Sequence, residues 1–109
     1  MKRTTLTGPV ANYIAAANAH DVDAVAASFS EAAVILDEGQ SHQGIAAIRQ
    51  WATDVGKKYR PTVEVLDVAH TAGKTILTGR VSGDFPGSPI DLRYVVTLTE
   101  ERIERLEIS

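Results

Sequence analysis

The sequence predicts an α+β domain in which N-terminal helices pack in the concave face of a strongly curved, mainly antiparallel sheet. Apolar residues recur at helical spacing over the N-terminal half of the 109-residue chain and alternate with polar residues over the C-terminal half. Short turn signals separate the alternating segments, as is typical of hairpins in an antiparallel meander. A sheet that curls over helices is expected to enclose a cavity between its concave face and the inner helix faces.

Three helices are predicted in the N-terminal half. The first begins at Thr7-Gly8-Pro9, the second after the N-cap residue Asp21, and the third after a loop over residues 38–44. Their apolar faces are formed by Val10, Tyr13, Ile14 and Ala17, by Val22, Val25, Ala26 and Phe29, and by Ile45, Ile48, Trp51, Ala52 and Val55. The helical spacing therefore points Tyr13 into the domain.

Strands are predicted over residues 33–37, 62–71, 75–85, 88–99 and 102–108. The turn signals between the last four are Ala72-Gly73, Pro86-Gly87 and Glu100-Glu101. Side chains two apart on a strand share a face, so alternate residues of the segment 75–85 are expected to look into the cavity. These residues are Leu77, Gly79, Val81, Gly83 and Phe85.

The composition indicates one globular domain over residues 1–109, since 44% of the chain is hydrophobic. The net charge of −3, without a long basic run, argues against nucleic acid or a membrane as a partner. The absence of cysteine excludes disulfides and thiolate zinc sites, and the three histidines lack metal-ligand spacing, so no metal or other cofactor is expected. The N-terminus does not resemble a signal peptide, and we expect a cytoplasmic protein.

Two acidic residues interrupt apolar strand segments. Asp37 closes the run that begins at Ala32, and Asp91 lies between Ile90 and Leu92. A carboxylate removed from water without a partner costs several kcal/mol, so such residues are paired, protonated or directed into a cavity that uses them. Both aspartates are therefore candidates for chemistry.

Four segments carry a resemblance to a known fold family, namely Tyr13–Asp23, Phe29–Asp37, Gly44–Trp51 and Pro89–Asp91. In order and length the predicted elements resemble the nuclear transport factor 2-like superfamily, and within it the SnoaL-like and ketosteroid-isomerase-like proteins. The resemblance covers nearly the whole chain. It implies a cone-shaped, cystatin-like fold, often dimeric, with a pocket for a small molecule inside the cone.

The resemblance to ketosteroid isomerase extends to single residues. Tyr13 falls on the oxyanion-hole tyrosine of that enzyme, Asp37 on its general base and Asp91 on its protonated acid. The implied activity is that of a cofactor-free isomerase, lyase or cyclase, which moves protons on a small apolar carbonyl compound. Each residue also has a structural explanation: Tyr13 as core, Asp37 as a turn residue and Asp91 as a strand-edge residue.

Arg93 departs from the isomerase pattern, in which an aromatic residue stands at this position. Side chains two apart share a strand face, so Arg93 is expected beside Asp91, where it would favour the ionised carboxylate and remove a hydrogen-bond donor. Two alternatives therefore stay open. One is a non-catalytic ligand-binding or structural module with an Asp91–Arg93 ion pair, and the other is an Asp-Arg-Asp arrangement resembling the water-activating triad of limonene epoxide hydrolase.

The ligand and partner contacts follow from the same placement. The residues expected to contact a ligand are Trp51, Val81, Phe85, Arg93 and His42, the last from the loop after Asp37. A homodimer, implied mainly by the resemblance, is expected to form through the outer face of the sheet. That face is predicted to carry Ile90, Leu92, Tyr94, Val96 and Leu98.

Overall fold

The computed structural model describes residue 6 and residues 8–109. Thr7, placed by the sequence at the start of the first helix, and the N-terminal segment 1–5 lie outside the described residues. The elements are α1 (Gly8–Asn18), α2 (Val22–Ala27), β1 (Phe29–Asp37), β2 (Gln40–Gln43), α3 (Ile45–Tyr59), β3 (Thr62–Thr71), β4 (Lys74–Ser82), β5 (Ile90–Thr99) and β6 (Arg102–Ile108).

The strands form one curved, unclosed sheet in the order β2-β1-β6-β5-β4-β3, which confirms the predicted fold class. All neighbouring strands are antiparallel except β1 and β6, which run parallel. The strand ladders shift register between Val65 and Asp67 and between Thr97 and Leu98. Irregularities of this kind bend a sheet, and they help it to wrap around the helices.

Three element boundaries differ from the sequence prediction. Phe29 is the first residue of β1 and not the last apolar residue of α2, because the helix ends at the C-cap Ser28. The segment predicted as a loop contains β2, joined to β1 by Glu38 and Gly39 with φ of 53° and 74°. A two-residue turn with both φ positive matches the twist of a hairpin. The connection between β4 and β5 is longer than predicted and spans residues 83–89.

The face assignment of β5 is opposite to the prediction. Tyr94 is 4% exposed and Val96 is 1% exposed, and both face the interior, whereas Asp91 and Arg93 are exposed on the outer face. A shift of one residue exchanges every side chain of a strand between the two faces, and burying the bulky apolar set decides the orientation. The predicted outer apolar face made of Ile90, Leu92, Tyr94, Val96 and Leu98 is therefore wrong, although Leu98 is 39% exposed beyond the register shift. A homodimer stays a prediction, but the apolar outer face of β5 no longer supports it.

The core lies between the inner face of the sheet and the helices. Its fully buried large side chains are Phe29, Ile35, Ile48, Leu77, Val96, Ile103 and Leu106. Asn18, the last residue of α1, joins the helix to β3 by two hydrogen bonds with Val63. Its Nδ2 donates to the Val63 carbonyl over 3.0 Å, and its Oδ1 accepts from the Val63 N–H over 2.7 Å. This pair of bonds fixes the distance between α1 and the edge strand.

No helix among the described residues is long and apolar enough to cross a bilayer.

Candidate functional site

A mainly apolar cavity of about 890 Å³ lies between the helices and the concave face of the sheet. Its walls come from the three helices and the strands β3, β4 and β5, together with the ends of β1 and β6 and the connection 83–89. Among its lining residues are Tyr13, Asp37, Trp51, Val63, Val81, Phe85, Leu92 and Tyr94. A cavity of this size and character is typical of small-molecule sites.

Asp37 is held at the cavity by a hydrogen bond from Trp51. The indole Nε1 donates to Oδ2 of the carboxylate over 3.0 Å. Asp37 reaches this position because it is the last residue of β1, directly before the Glu38-Gly39 turn, and Trp51 because it lies on the buried face of α3. The contact joins a strand end to a helix and fixes one carboxylate oxygen.

The electrostatic surroundings of Asp37 favour its protonated form. Burial is the main cause that raises the pKa of this carboxyl above its ordinary value of 3.8, and the charge of Glu38 acts in the same direction. The Trp51 hydrogen bond, the charge of His42 and the backbone N–H of Glu38 lower the pKa without cancelling the effect of burial. A carboxyl with a raised pKa is better suited to accept and return a proton than an ordinary surface aspartate.

Two tyrosines, Tyr13 and Tyr94, present hydroxyl groups to the cavity. Each residue is 4% exposed, and each lines the cavity. The Tyr13 ring is fixed by an edge-to-face contact with Phe29, with ring centroids 5.6 Å apart. In the described part of the chain no fully buried side-chain oxygen lacks a hydrogen-bond partner, and neither hydroxyl bonds to another described residue. Both hydroxyls therefore open onto the cavity.

The two hydroxyls are neutral donors at physiological pH. Burial raises the pKa of Tyr13 well above its ordinary value of 10.0, with further contributions from Tyr94 and Asp37. Burial also raises the pKa of Tyr94, followed by the charge of Asp37. The charge of Asp37 raises the pKa of both tyrosines, and Tyr94 raises that of Tyr13. The three groups therefore form one polar cluster within an apolar cavity.

The structure brings together five of the predicted site residues. Tyr13, Asp37, Trp51, Val81 and Phe85 all line the cavity. Sequence reasoning did not find Tyr94 as a site residue, although the alternation from Ile90 to Val96 was the signal that identifies the inner face of β5.

The prediction that Asp91 and Arg93 face the cavity is wrong. Asp91 lies on the outer face of the sheet, where its Oδ1 is 2.9 Å from Nε of Arg80, directly opposite on β4. The side chains of this pair are each 48% exposed. Arg93 shares that face, and its backbone pairs with Ser109. The ion pair predicted between Asp91 and Arg93 is replaced by one with Arg80, and the water-activating arrangement loses two of its three members.

The prediction that His42 contacts the ligand from a loop is also not supported. His42 lies on β2 opposite Ile35, and it is absent from the cavity lining. Its ring centroid is 6.3 Å from that of Trp51. Packed beside the indole, His42 acts on the site only through its charge, which lowers the pKa of Asp37.

Gly79 gives the Tyr94 ring its place on the sheet. A Cβ at this position would lie 2.7 Å from Cγ1 of Val63 and 3.2 Å from Cε1 of Tyr94. The space beside Gly79 is thus taken by neighbouring side chains of the sheet. Its missing side chain leaves the space that the edge of the Tyr94 ring needs at this point of the sheet.

Comparisons with known proteins agree with this architecture. The family model for the SnoaL-like domain matches residues 10–103. A proposed polyketide cyclase from Sinorhizobium meliloti is 38% identical with a TM-score of 0.92, and the match covers 95% of each chain. No curated protein matches the chain.

Two more distant structures share the fold. A ketosteroid isomerase-like protein from Catenulispora acidiphila, in complex with trimethylamine, is 15% identical with a TM-score of 0.84, covering 96% of this chain and 86% of that one. SalBIII, an epoxide hydrolase/cyclase-like enzyme in pyran ring formation in the polyether salinomycin, is 24% identical with a TM-score of 0.81, covering 92% and 85%.

Proposed function

Since this chain belongs to the SnoaL-like domain family, we propose that it is a small-molecule enzyme of the cyclase or isomerase type. In this proposal Asp37 moves a proton on an apolar carbonyl compound bound in the cavity. The observation that carries it is the Asp37 carboxylate, fixed by Trp51 at an apolar cavity and with a raised pKa. The similarity to the proposed polyketide cyclase of Sinorhizobium meliloti supports the same class of reaction.

The chemistry needs one base and one donor. The ionised Asp37 removes a proton from the carbon beside the carbonyl. The electron pair of that C–H bond forms a C=C bond, and the π pair of the carbonyl moves onto its oxygen to give an enolate. Tyr13 donates a hydrogen bond to the oxygen that becomes negative. The protonated Asp37 then returns its proton, either to the same carbon or, in a β,γ-unsaturated ketone, to the γ-carbon as the double bond shifts. In a cyclase the enolate carbon instead bonds to a second carbonyl carbon of the same molecule, whose C=O π pair moves onto its oxygen and takes the proton from Asp37. No cofactor takes part in this proposal.

The proposal is tested by hydrogen exchange at carbon. A panel of apolar ketones, such as acetophenone, 2-acetylnaphthalene and 1-tetralone, is incubated with the protein in D2O, and loss of the α-proton signal is followed by NMR. Asp37→Asn keeps an oxygen that accepts from Trp51, so the fold is retained while the base is lost. We expect this variant to lower the exchange rate about 10²–10⁴-fold.

Asp91→Asn is the matched control, because it makes the same chemical change on the outer face of the sheet. Its exchange rate is expected to equal that of the wild type. Exchange that survives in Asp37→Asn, or wild-type protein that exchanges none of the ketones, would contradict the proposal. Ketone binding without exchange would favour the alternative of a ligand-binding module.

A further inference from the structure

We infer that Tyr94 and Tyr13 together bind one oxygen atom of the ligand, and that this oxygen is the uncharged carbonyl of an apolar ketone or a related compound. The inference rests on the proposed function for its choice of ligand class, but its test measures binding and not turnover. Tyr94 thereby takes the position of second oxygen donor that the sequence had assigned to Asp91.

The first argument is the placement of the two hydroxyls. Tyr13 comes from α1 and Tyr94 from the middle of β5, so the donors approach the cavity from its helical wall and from its sheet wall. A carbonyl oxygen has two lone pairs and accepts two hydrogen bonds. Donors from two different walls can each bond one lone pair of this oxygen and so position the ligand.

The second argument is that both hydroxyls are available to a ligand. The residues Tyr13 and Tyr94 are buried, yet neither hydroxyl bonds to another described residue, and both open onto the cavity. A ligand that fills the apolar cavity displaces water from the two hydroxyls, and a hydroxyl left there without a partner is unfavourable. A ligand oxygen supplies the acceptor that both hydroxyls then need.

The third argument is charge, which separates a carbonyl from a carboxylate. The fully charged residues lining the cavity other than Asp37 are Glu38, Lys57 and Arg60, and all three are exposed. Thus no described cation at the buried tyrosines balances a permanent negative charge, and Asp37 repels one. A neutral carbonyl that becomes negative only during reaction fits this environment.

The test uses 2-acetylnaphthalene labelled with ¹³C at the carbonyl, bound to the Asp37→Asn variant so that no proton transfer takes place. The infrared carbonyl stretch of the bound ketone reports hydrogen bonding directly. We expect a shift to lower frequency than in a hydrocarbon solvent, a smaller shift with Tyr94→Phe or Tyr13→Phe, and none in the double variant. Each single substitution should weaken binding about 2- to 10-fold.

Tyr59→Phe is the control for loss of a tyrosine hydroxyl at the cavity. Tyr59 also lines the cavity, but its hydroxyl already donates to Oε1 of Glu38 over 3.1 Å and is not available to the ketone. The carbonyl stretch should not change in this variant. The second probe is 2-naphthoate, a carboxylate of the same size as the ketone. At pH 8 the wild-type protein should bind 2-naphthoate at least about tenfold more weakly than the ketone, and Asp37→Asn should reduce this difference in affinity.

The inference is overturned if the ketone does not bind, if Tyr94→Phe leaves both the stretch and the affinity unchanged, or if 2-naphthoate binds as well as the ketone. The two proposals fail separately. A stretch that depends on Tyr94 without hydrogen exchange in the wild type would retain the oxygen site and reject the catalysis. If hydrogen exchange depends on Asp37 but Tyr94→Phe has no effect on the stretch of the bound carbonyl, the catalysis is retained and the oxygen site is rejected.

Discussion

Replacing Gly79 by alanine tests the packing that positions Tyr94. The added Cβ would lie 2.7 Å from Cγ1 of Val63, and reaching an ordinary contact of 3.4 Å requires a shift of 0.7 Å. Val63 cannot easily retreat, because Asn18 holds both of its backbone groups. The Tyr94 ring, 3.2 Å from the new atom, must move as well.

The expected cost follows from two opposing terms. Overpacking a core costs about 1–3 kcal/mol, whereas replacing glycine by alanine restricts the unfolded chain and returns about 0.4–1 kcal/mol. With the middle of each range, we expect Gly79→Ala to lower the free energy of unfolding by about 1.3 kcal/mol. Urea denaturation at 25 °C, with an unchanged dependence on urea concentration, measures this value.

Gly56→Ala is the matched control, because Gly56 lies inside α3 and a Cβ there meets no atom within 4 Å. This substitution should raise the free energy of unfolding by about 0.5–1 kcal/mol. In a double-mutant cycle, Val63→Ala should relieve Gly79→Ala with a coupling of about 0.5–3 kcal/mol. A Gly79→Ala protein as stable as the wild type, or a coupling near zero, would refute the packing argument.

Three further outcomes concern the two aspartates. Trp51→Phe removes the donor that lowers the pKa of Asp37, so the pH of half-maximal hydrogen exchange should rise, and an unchanged pH profile would show that the indole does not act on the carboxylate. Because burial raises the pKa of Asp37, the folded state holds this proton more tightly than the unfolded state, in which the pKa is 3.8. The protonated carboxyl therefore stabilises the fold below pH 3.8, and this stabilisation is lost as the pH rises through the folded pKa. Asp37→Asn should therefore be more stable than the wild type at neutral pH, by at most about 1 kcal/mol after screening by solvent, with no advantage near pH 3, and equal thermal unfolding curves at both pH values would contradict this. Asp91→Asn breaks only an exposed pair with Arg80 and should change the free energy of unfolding by less than about 1 kcal/mol, whereas a loss of several kcal/mol would show that Asp91 is a structural residue.

Local patterns in the sequence were sufficient for the fold class. Helical spacing and alternation identified three helices followed by antiparallel strands, because both periods are imposed by burial of one face. The strand β2 could not be recognised in the same way, since Gln40–Gln43 has no apolar alternation and exists through pairing with β1. The parallel contact of β1 with β6 is likewise set by long-range packing, which no local pattern contains.

The candidate site was predictable in part. The resemblance placed Tyr13 and Asp37 together, and both line the cavity. It also placed Asp91 inside, and this was wrong. Burial of the bulky alternating residues of β5 turns Tyr94 inward and Asp91 outward. The hydrogen bond from Trp51 to Asp37 depends on how α3 packs over the end of β1. Such contacts need the tertiary arrangement and cannot be derived from spacing.

The parallel pairing of β1 with β6 has a consequence for the order of folding. The last strand in the chain occupies an inner position of the sheet, between β1 and β5, while β2 and β3 form the edges. During synthesis β3, β4 and β5 can pair as they emerge, but β1 has to wait for residues 102–108 before it gains its inner neighbour. Closing a loop of this length slows folding and leaves apolar strand surface uncovered until the end. A nascent chain stalled before β6 would therefore be expected to bind chaperones, although most of its residues had already been made.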